Sequence, residues 1–297
     1  MHTANSTWAT RALRACLLAA LSLTAPLAWA EKISVVYARE LAEADARLEY
    51  PVRLLELALK KAGADFEMRS EARPMPQSAA IKRLAAGANL NVVWSMTTRE
   101  REEQLLPIRI PIDKGLFGYR IAFVARNRPD ILAQAKDLKT LAKLAAGQGH
   151  DWPDVDILRS NGLPVVTTAQ HPSLFPMLAA GRFNYFPRSV LEVWDEAAMP
   201  GAQEAVVDKS VLIHYPAAIY FFVNKSNRAL AKTIKTGLTR AMADGSFDAL
   251  FYERFGATIK RANLRGRTRI ELINPLLPKE TPLSHKSLWL DVNALPK

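Results

Sequence analysis

Arginine and threonine stand together at one point of this chain in a way that could hold an anion. Trp94 closes an apolar run (Leu90, Val92, Val93, Trp94), and Thr97, Thr98, Arg99 and Arg101 follow directly. A guanidinium presents a rigid fork of N–H donors that matches a carboxylate, and a threonine hydroxyl adds a neutral bond beside it. Such a charge-assisted contact contributes roughly 1.5–3 kcal/mol when sheltered from water. The run Arg99-Glu100-Arg101-Glu102-Glu103 also has the composition of a solvated helix start, so residue types alone leave both readings open. A second candidate is the loop 147–154, where His150, Asp151 and Trp152 follow two glycines. A glycine-rich turn that opens a helix presents free backbone N–H groups to an anion. Trp152 could stack on a ligand or simply pack. Arg188 and Glu192 could serve the same ligand or pair with each other, and Tyr37 and Glu40 follow the first apolar run.

The elements that must position these residues are readable from pattern. Residues 32–37 are β-branched and apolar, a strand; 38–49 read as a loop. A helix is expected over 50–62, with Pro51 in its first turn and Val52, Leu55, Leu59 and Ala62 on one face beside Leu54 and Ala58. A strand over 65–69, a helix over 77–86 and a strand over 90–94 complete a β-α-β-α-β order. That order implies parallel strands, with Tyr37 and Thr97 to Arg101 at strand carboxyl ends, where open α/β sheets bind ligands. Alternation of Tyr119, Ile121, Phe123 and Ala125 predicts another strand. Asp151 suits an N-cap, with Pro153 in the first turn of its helix. Strands are expected over 164–168, 183–186, 210–214 and 217–223, and a helix over 172–180. Leu230, Ile234, Leu238 and Ala241 mark a long helix capped by 224–227. Ser246 opens a further helix ending near Gly256, and 265–297 should lie over the surface as a Pro-rich strap.

Three short runs carry a resemblance. Thr98-x-x-Arg101, after a strand and before an Ile-Pro-rich segment, is similar to the T-x-x-R element of the amino-acid-type periplasmic solute-binding proteins, the family 3 extracellular receptors of ABC importers. The run 178–184 (LAAGRFN) resembles that family's L-x-x-G-R-x-D, with Asn184 for Asp, and 244–256 resembles its tail helices. The resemblance implies an α/β, two-lobed type II periplasmic-binding-protein fold, with mixed, mostly parallel sheets, helices on both faces and a hinge between lobes. Lobe one would be 31–125 with 217–297, and lobe two 126–216. Arg101 would grip a ligand carboxylate with Thr98 and Thr97, while 149–152 and 188–192 close from the other side. The chain departs from the pattern at His150-Asp151-Trp152, at Met96, and at Ser189, where many relatives place an Asp for the ligand's amino group. Glu192 or Glu40 could take that place, or the ligand could carry extra negative charge.

The 297-residue chain has a formal charge of +11, with Lys and Arg scattered among acids. No zinc-finger, RNP or basic-helix pattern occurs, so no nucleic-acid partner is expected. Residues 1–30 read as a secretory signal: Arg11 and Arg14, an apolar core at 15–25, and Ala28-Trp29-Ala30 before Glu31. That core is shorter than the roughly 20 residues of a membrane span. The lone Cys16 would leave with the signal, so no disulfide is expected. His150, His171 and His214 lie far apart, and no G-x-S-x-G elbow, Walker loop or S-x-x-K occurs. No metal, cofactor or catalysis is therefore expected. The expectation is a monomeric periplasmic receptor for a small anionic or amino-acid-like solute, with inner-membrane permease subunits of an ABC importer as the implied partners. A sensing accessory of a signalling system and a periplasmic enzyme on the same scaffold are the alternatives.

Overall fold

The computed structural model describes residues 32–38 and 45–295. The expected signal segment and Glu40 lie outside the described residues. The order begins β1 (Ile33–Tyr37), α1 (Asp45–Ala62), β2 (Phe66–Ser70), α2 (Gln77–Ala85), β3 (Val93–Met96), α3 (Arg99–Gln104) and β4 (Leu106–Ile108). It continues with β5 (Tyr119–Ala125), α4 (Leu138–Leu141), β6 (Ala146–Gly149), α5 (Pro153–Ser160), β7 (Val165–Thr168), α6 (Leu174–Ala179), β8 (Phe186–Ser189) and α7 (Val193–Ala197). The last elements are β9 (Ala205–Val207), β10 (Val211–His214), β11 (Ile219–Val223), α8 (Arg228–Ala243), α9 (Ser246–Ala262) and β12 (Thr268–Glu271).

Two sheet systems result. In the first, β1 pairs in parallel with β2, a Tyr37–Val92 bridge reaches the segment before β3, and β11 lies between β3 and β4. In the second, the order β12-β10-β5-β8 forms, with β9 also on β5, and a bridge from Ala146 to Tyr185 adds the β6–β7 pair. The sheets are mixed, as expected, but parallel pairing does not dominate. β5 runs antiparallel to β8, β9 and β10, and β11 to β3 and β4. Both strands carry the chain between sheets, so neither follows a helical crossover within its own sheet. The sequence division put 119–125 and 265–297 with the first lobe, yet β5 and β12 hydrogen-bond with strands of the second sheet.

Several element boundaries differ from the sequence expectation, each for a packing reason. α1 begins at Asp45, so Pro51 lies inside it rather than in its first turn. Leu54, Leu55, Ala58 and Leu59 are fully buried in one cluster with Ile234, Leu238 and Ala241 of α8 and Phe251 of α9. Burial on that scale offsets the backbone bond that proline removes. β8 starts at Phe186, which moves Arg188 from a loop into a strand opposite Ile121. α9 runs past Gly256 because Ile259 and Ala262 extend its buried stripe. Trp152, not Asp151, occupies the N-cap of α5, with Pro153 in the first turn.

The packing of α1 on α8 depends on one glycine. A Cβ at Gly237 would overlap the backbone carbonyl of Ala58, and a backbone cannot step aside as a side chain can. Gly237→Ala is expected to lower stability by about 1–3 kcal/mol or more, read from the urea midpoint of unfolding.

Candidate functional site

A cleft of about 550 Å³ is lined from one side by Trp94, Ser95 and Met96 of β3 with Arg101 of α3, and from the other by Arg120, Asp154, Arg188 and Glu192. Thr98 places Arg101: its hydroxyl caps α3 by accepting from the Arg101 backbone N–H at 3.2 Å. The Arg101 guanidinium then turns inward. Nη1 donates to Ser95 Oγ at 2.6 Å and to the Met96 carbonyl at 2.5 Å, and Nη2 to Gln77 Oε1 at 3.1 Å. All three acceptors are neutral. A guanidinium carries five N–H donors, so Nε and one hydrogen of Nη2 remain for a ligand. Burial lowers the pKa of Arg101, only partly offset by Glu100, so a bound anion would relieve a real cost.

The opposite wall is a closed chain of charge. Arg188 meets Glu196 through Nε at 2.8 Å and Nη2 at 2.6 Å, and Glu192 at 3.1 Å. Glu192 also contacts Arg120 at 3.4 Å, and Arg120 lies 3.1 Å from Asp154, which accepts from the Tyr215 hydroxyl. Arg120, Tyr215 and Glu196 are each at most 1 % exposed, so bulk water answers almost none of this charge. Burial alone would lower the Arg188 pKa, but Glu192 and Glu196 more than offset it and raise it. Burial would likewise raise Glu196; His171, 3.6 Å away, and Arg188 instead pull it down to about 2.

The structure brings five of the sequence candidates to the cleft: Trp94, Arg101, Trp152, Arg188 and Glu192. Three of these have other partners, Glu192 through the contacts with Arg188 and Arg120 already described. Arg188 is occupied by Glu196 and Glu192, and it stacks at 4.4 Å on the Trp152 ring. Trp152 also packs over Gly149, whose missing Cβ makes room for the ring, and against His171 and Phe186, while its remaining surface lines the cleft. Thr98, His150 and Asp151 line an adjoining hollow of about 450 Å³ that shares Arg101, Trp152 and Pro153 with the cleft. Thr97 is fully buried and donates to Glu102 at 2.7 Å, so it does not face the cleft. Tyr37 leans on Trp94 with ring centroids 6.0 Å apart, behind the lining. Ser189 accepts from Leu191 N–H at 3.2 Å.

Sequence reasoning missed Arg120, Asp113, Asp154, Glu196 and Gln77. Arg120 did leave a signal, being the one charge within the apolar run 119–125. Asp113 is almost fully buried in the cleft floor and accepts from Phe117 N–H at 2.8 Å and Gly115 N–H at 3.2 Å. Burial dominates over those bonds and raises its pKa to about 6. A carboxyl that holds its proton more tightly in the folded chain stabilises the fold below the unfolded value, about 3.9, and loses that contribution as pH rises through the folded value. The stability gap between wild type and Asp113→Asn is therefore expected to shrink from pH 4 to pH 7, by up to about 2–3 kcal/mol in urea titrations. Glu196→Gln, which leaves Arg188 short of its main partner, is expected to cost about 3–5 kcal/mol in the same measurement at neutral pH.

No family model matches the chain, and no curated protein does. Solved structures do. An ancestral arginine-binding protein bound to glutamine superposes with a TM-score of 0.53 at 18% identity, covering 76% of this chain and 99% of that one. A histidine kinase sensor domain with similarity to periplasmic binding proteins gives 0.52 at 18% identity, over 76% and 96%. An ancestral amino-acid-binding protein described as a precursor of cyclohexadienyl dehydratase gives 0.52 at 15% identity, over 75% and 95%. Two sheet systems, a cleft lined from both and these superpositions agree: the chain has the two-lobed α/β fold of the type II periplasmic binding proteins.

Proposed function

We propose that this protein is an exported receptor that traps a small anionic or amino-acid-like solute between its lobes and hands it to the permease of an ABC importer. The observation that carries the reading is Arg101, a largely buried guanidinium held by three neutral acceptors with donors left over. A group so placed offers a carboxylate both charge and geometry, and hinge closure would bury the pair. The lobes we propose follow the sheets: β1 to β4 with β11, α8 and α9 in one, β5 to β10 with β12 in the other. Export rests on the signal-like residues 1–30, with cleavage after Ala30. Among the described residues no helix is long and apolar enough to cross a membrane.

The superposition with a kinase sensor domain favours a second reading, in which closure on the solute is reported to a signalling partner rather than coupled to transport. Both readings use the same clamp. Neither assigns catalysis to the cleft.

The test is a thermal-shift panel of amino acids and small carboxylates on wild type and Arg101→Ala. The variant should fold, since it leaves only neutral groups without a partner, and its affinity for any stabilising acid should fall about 10- to 100-fold. Full protection of the variant by the same acid would sink the clamp.

A further inference from the structure

The cleft carries apolar surface that the Arg101 clamp does not use. Trp94 and Ile219 on one side, and Phe117 and Leu191 on the other, are partly exposed, and all four line it. Backbone pairing joins the first side to Arg101. Ile219 stands opposite Met96, whose carbonyl accepts from Arg101 Nη1. The Ile219 carbonyl accepts from Ile112 N–H at 2.9 Å, and the Ile112 carbonyl accepts from the Tyr50 hydroxyl at 2.6 Å. Tyr50 thus commits its hydroxyl to the main chain, and its ring packs on Phe255 with centroids 4.7 Å apart. Ile112, Tyr50 and Phe255 also line the cleft, so an apolar floor runs from the guanidinium across β11 to α1 and α9.

Partly exposed apolar side chains gathered in a concave site mark a ligand groove, and the water over them is released only by a ligand that covers them. Size permits such a ligand. The cleft holds about 550 Å³, several times the roughly 150 Å³ of an apolar cavity that binds benzene. The charges of the opposite wall do not call for a second ionic group. Arg120, Arg188, Asp154, Glu192 and Glu196 each meet an opposite charge within 3.4 Å. We propose that the solute is a carboxylic acid with a bulky apolar body, such as an aromatic ring, that lies on this floor while Arg101 holds the carboxylate. An acid no larger than alanine would leave the floor wet, and a diacid would set its second charge against apolar carbon. The floor makes the same demand whether or not the acid carries an α-amino group, so the two kinds of acid form separate arms of the test. This rests on the reading of Arg101 as the carboxylate clamp.

The experiment is calorimetric titration of the full chain with two matched sets: propionate, 3-phenylpropionate and succinate; and alanine, phenylalanine and aspartate. Within a set the members differ only in what the third carbon bears: hydrogen, a phenyl ring or a second carboxylate. In at least one set the ring-bearing acid should bind about ten-fold or more tighter than both others, as burial of a ring against apolar walls requires. Ile219→Thr keeps a β-branched residue in the strand and puts a hydroxyl into the floor. It should lower the ratio of ring-acid to small-acid affinity about three-fold or more, and Leu191→Ser on the opposite wall should do the same. If neither variant folds, the wild-type ranking decides alone. Equal binding within both sets, preference for the diacid, or an unchanged ratio in folded variants overturns the apolar floor and leaves the Arg101 clamp standing. Full retention of ring-acid affinity in Arg101→Ala overturns the clamp instead, and failure of every acid to bind wild type overturns both.

Discussion

Charges withdrawn from water must be answered inside the protein, and the far wall of this cleft is built around that requirement. Arg120, Arg188, Asp154, Glu192 and Glu196 are all largely buried and each touches at least one opposite charge in the set. Such a cluster is poor evidence of net stabilisation, since desolvation consumes much of the attraction. What it does provide is position. Removing one member strands another, so the arrangement moves as a unit or not at all. The neighbouring rings add to this: Trp152 lies on Arg188, Phe117 and Tyr215 lie on Arg120, and Phe186 packs near both Trp152 and His171.

The near wall follows the opposite logic. Arg101 is tied down by a serine hydroxyl, a main-chain carbonyl and an amide, so it is oriented without being neutralised. One wall therefore offers a positive charge held by neutral acceptors, and the other a network in which two guanidiniums meet three carboxylates.

The C-terminal segment ties the two walls to each other. β12 extends the second sheet beside β10, Asn161 and Ile273 exchange two hydrogen bonds, and the Leu276 carbonyl then accepts from the backbone of Arg99 at the start of the helix that bears Arg101. Beyond it Leu290 and Val292 enter the core of the first sheet system. The chain thus passes between the sheets twice more, into β12 and back, after the stretches that precede β5 and β11.

Local pattern determined a great deal here. The β-branched run at β1, the spacing of Leu230, Ile234, Leu238 and Ala241 on α8, the Asn227 cap and the place of Arg101 after a strand follow from neighbours in sequence, because strand and helix periods are local properties. Those features were enough to reach the fold and one wall of the cleft. On the other wall the sequence pointed to Trp152, Arg188 and Glu192 but not to their pairing. Pairing of Arg188 with Glu192 was one reading of the sequence, and the two do meet at 3.1 Å, but the closer partner, Glu196, lies on α7, whose position depends on how β8 pairs with β5. Thr97 and Thr98 looked alike; one caps a helix and the other turns into the core, a choice set by which face of β3 meets its surroundings. Arg120 and Asp154 are distant in sequence and meet only across the finished sheet. Sequence alone fixed which groups could carry charge and where strands end, while only the tertiary structure decided which charges cancel, since cancellation depends on distances of a few ångströms between elements that local propensity does not place.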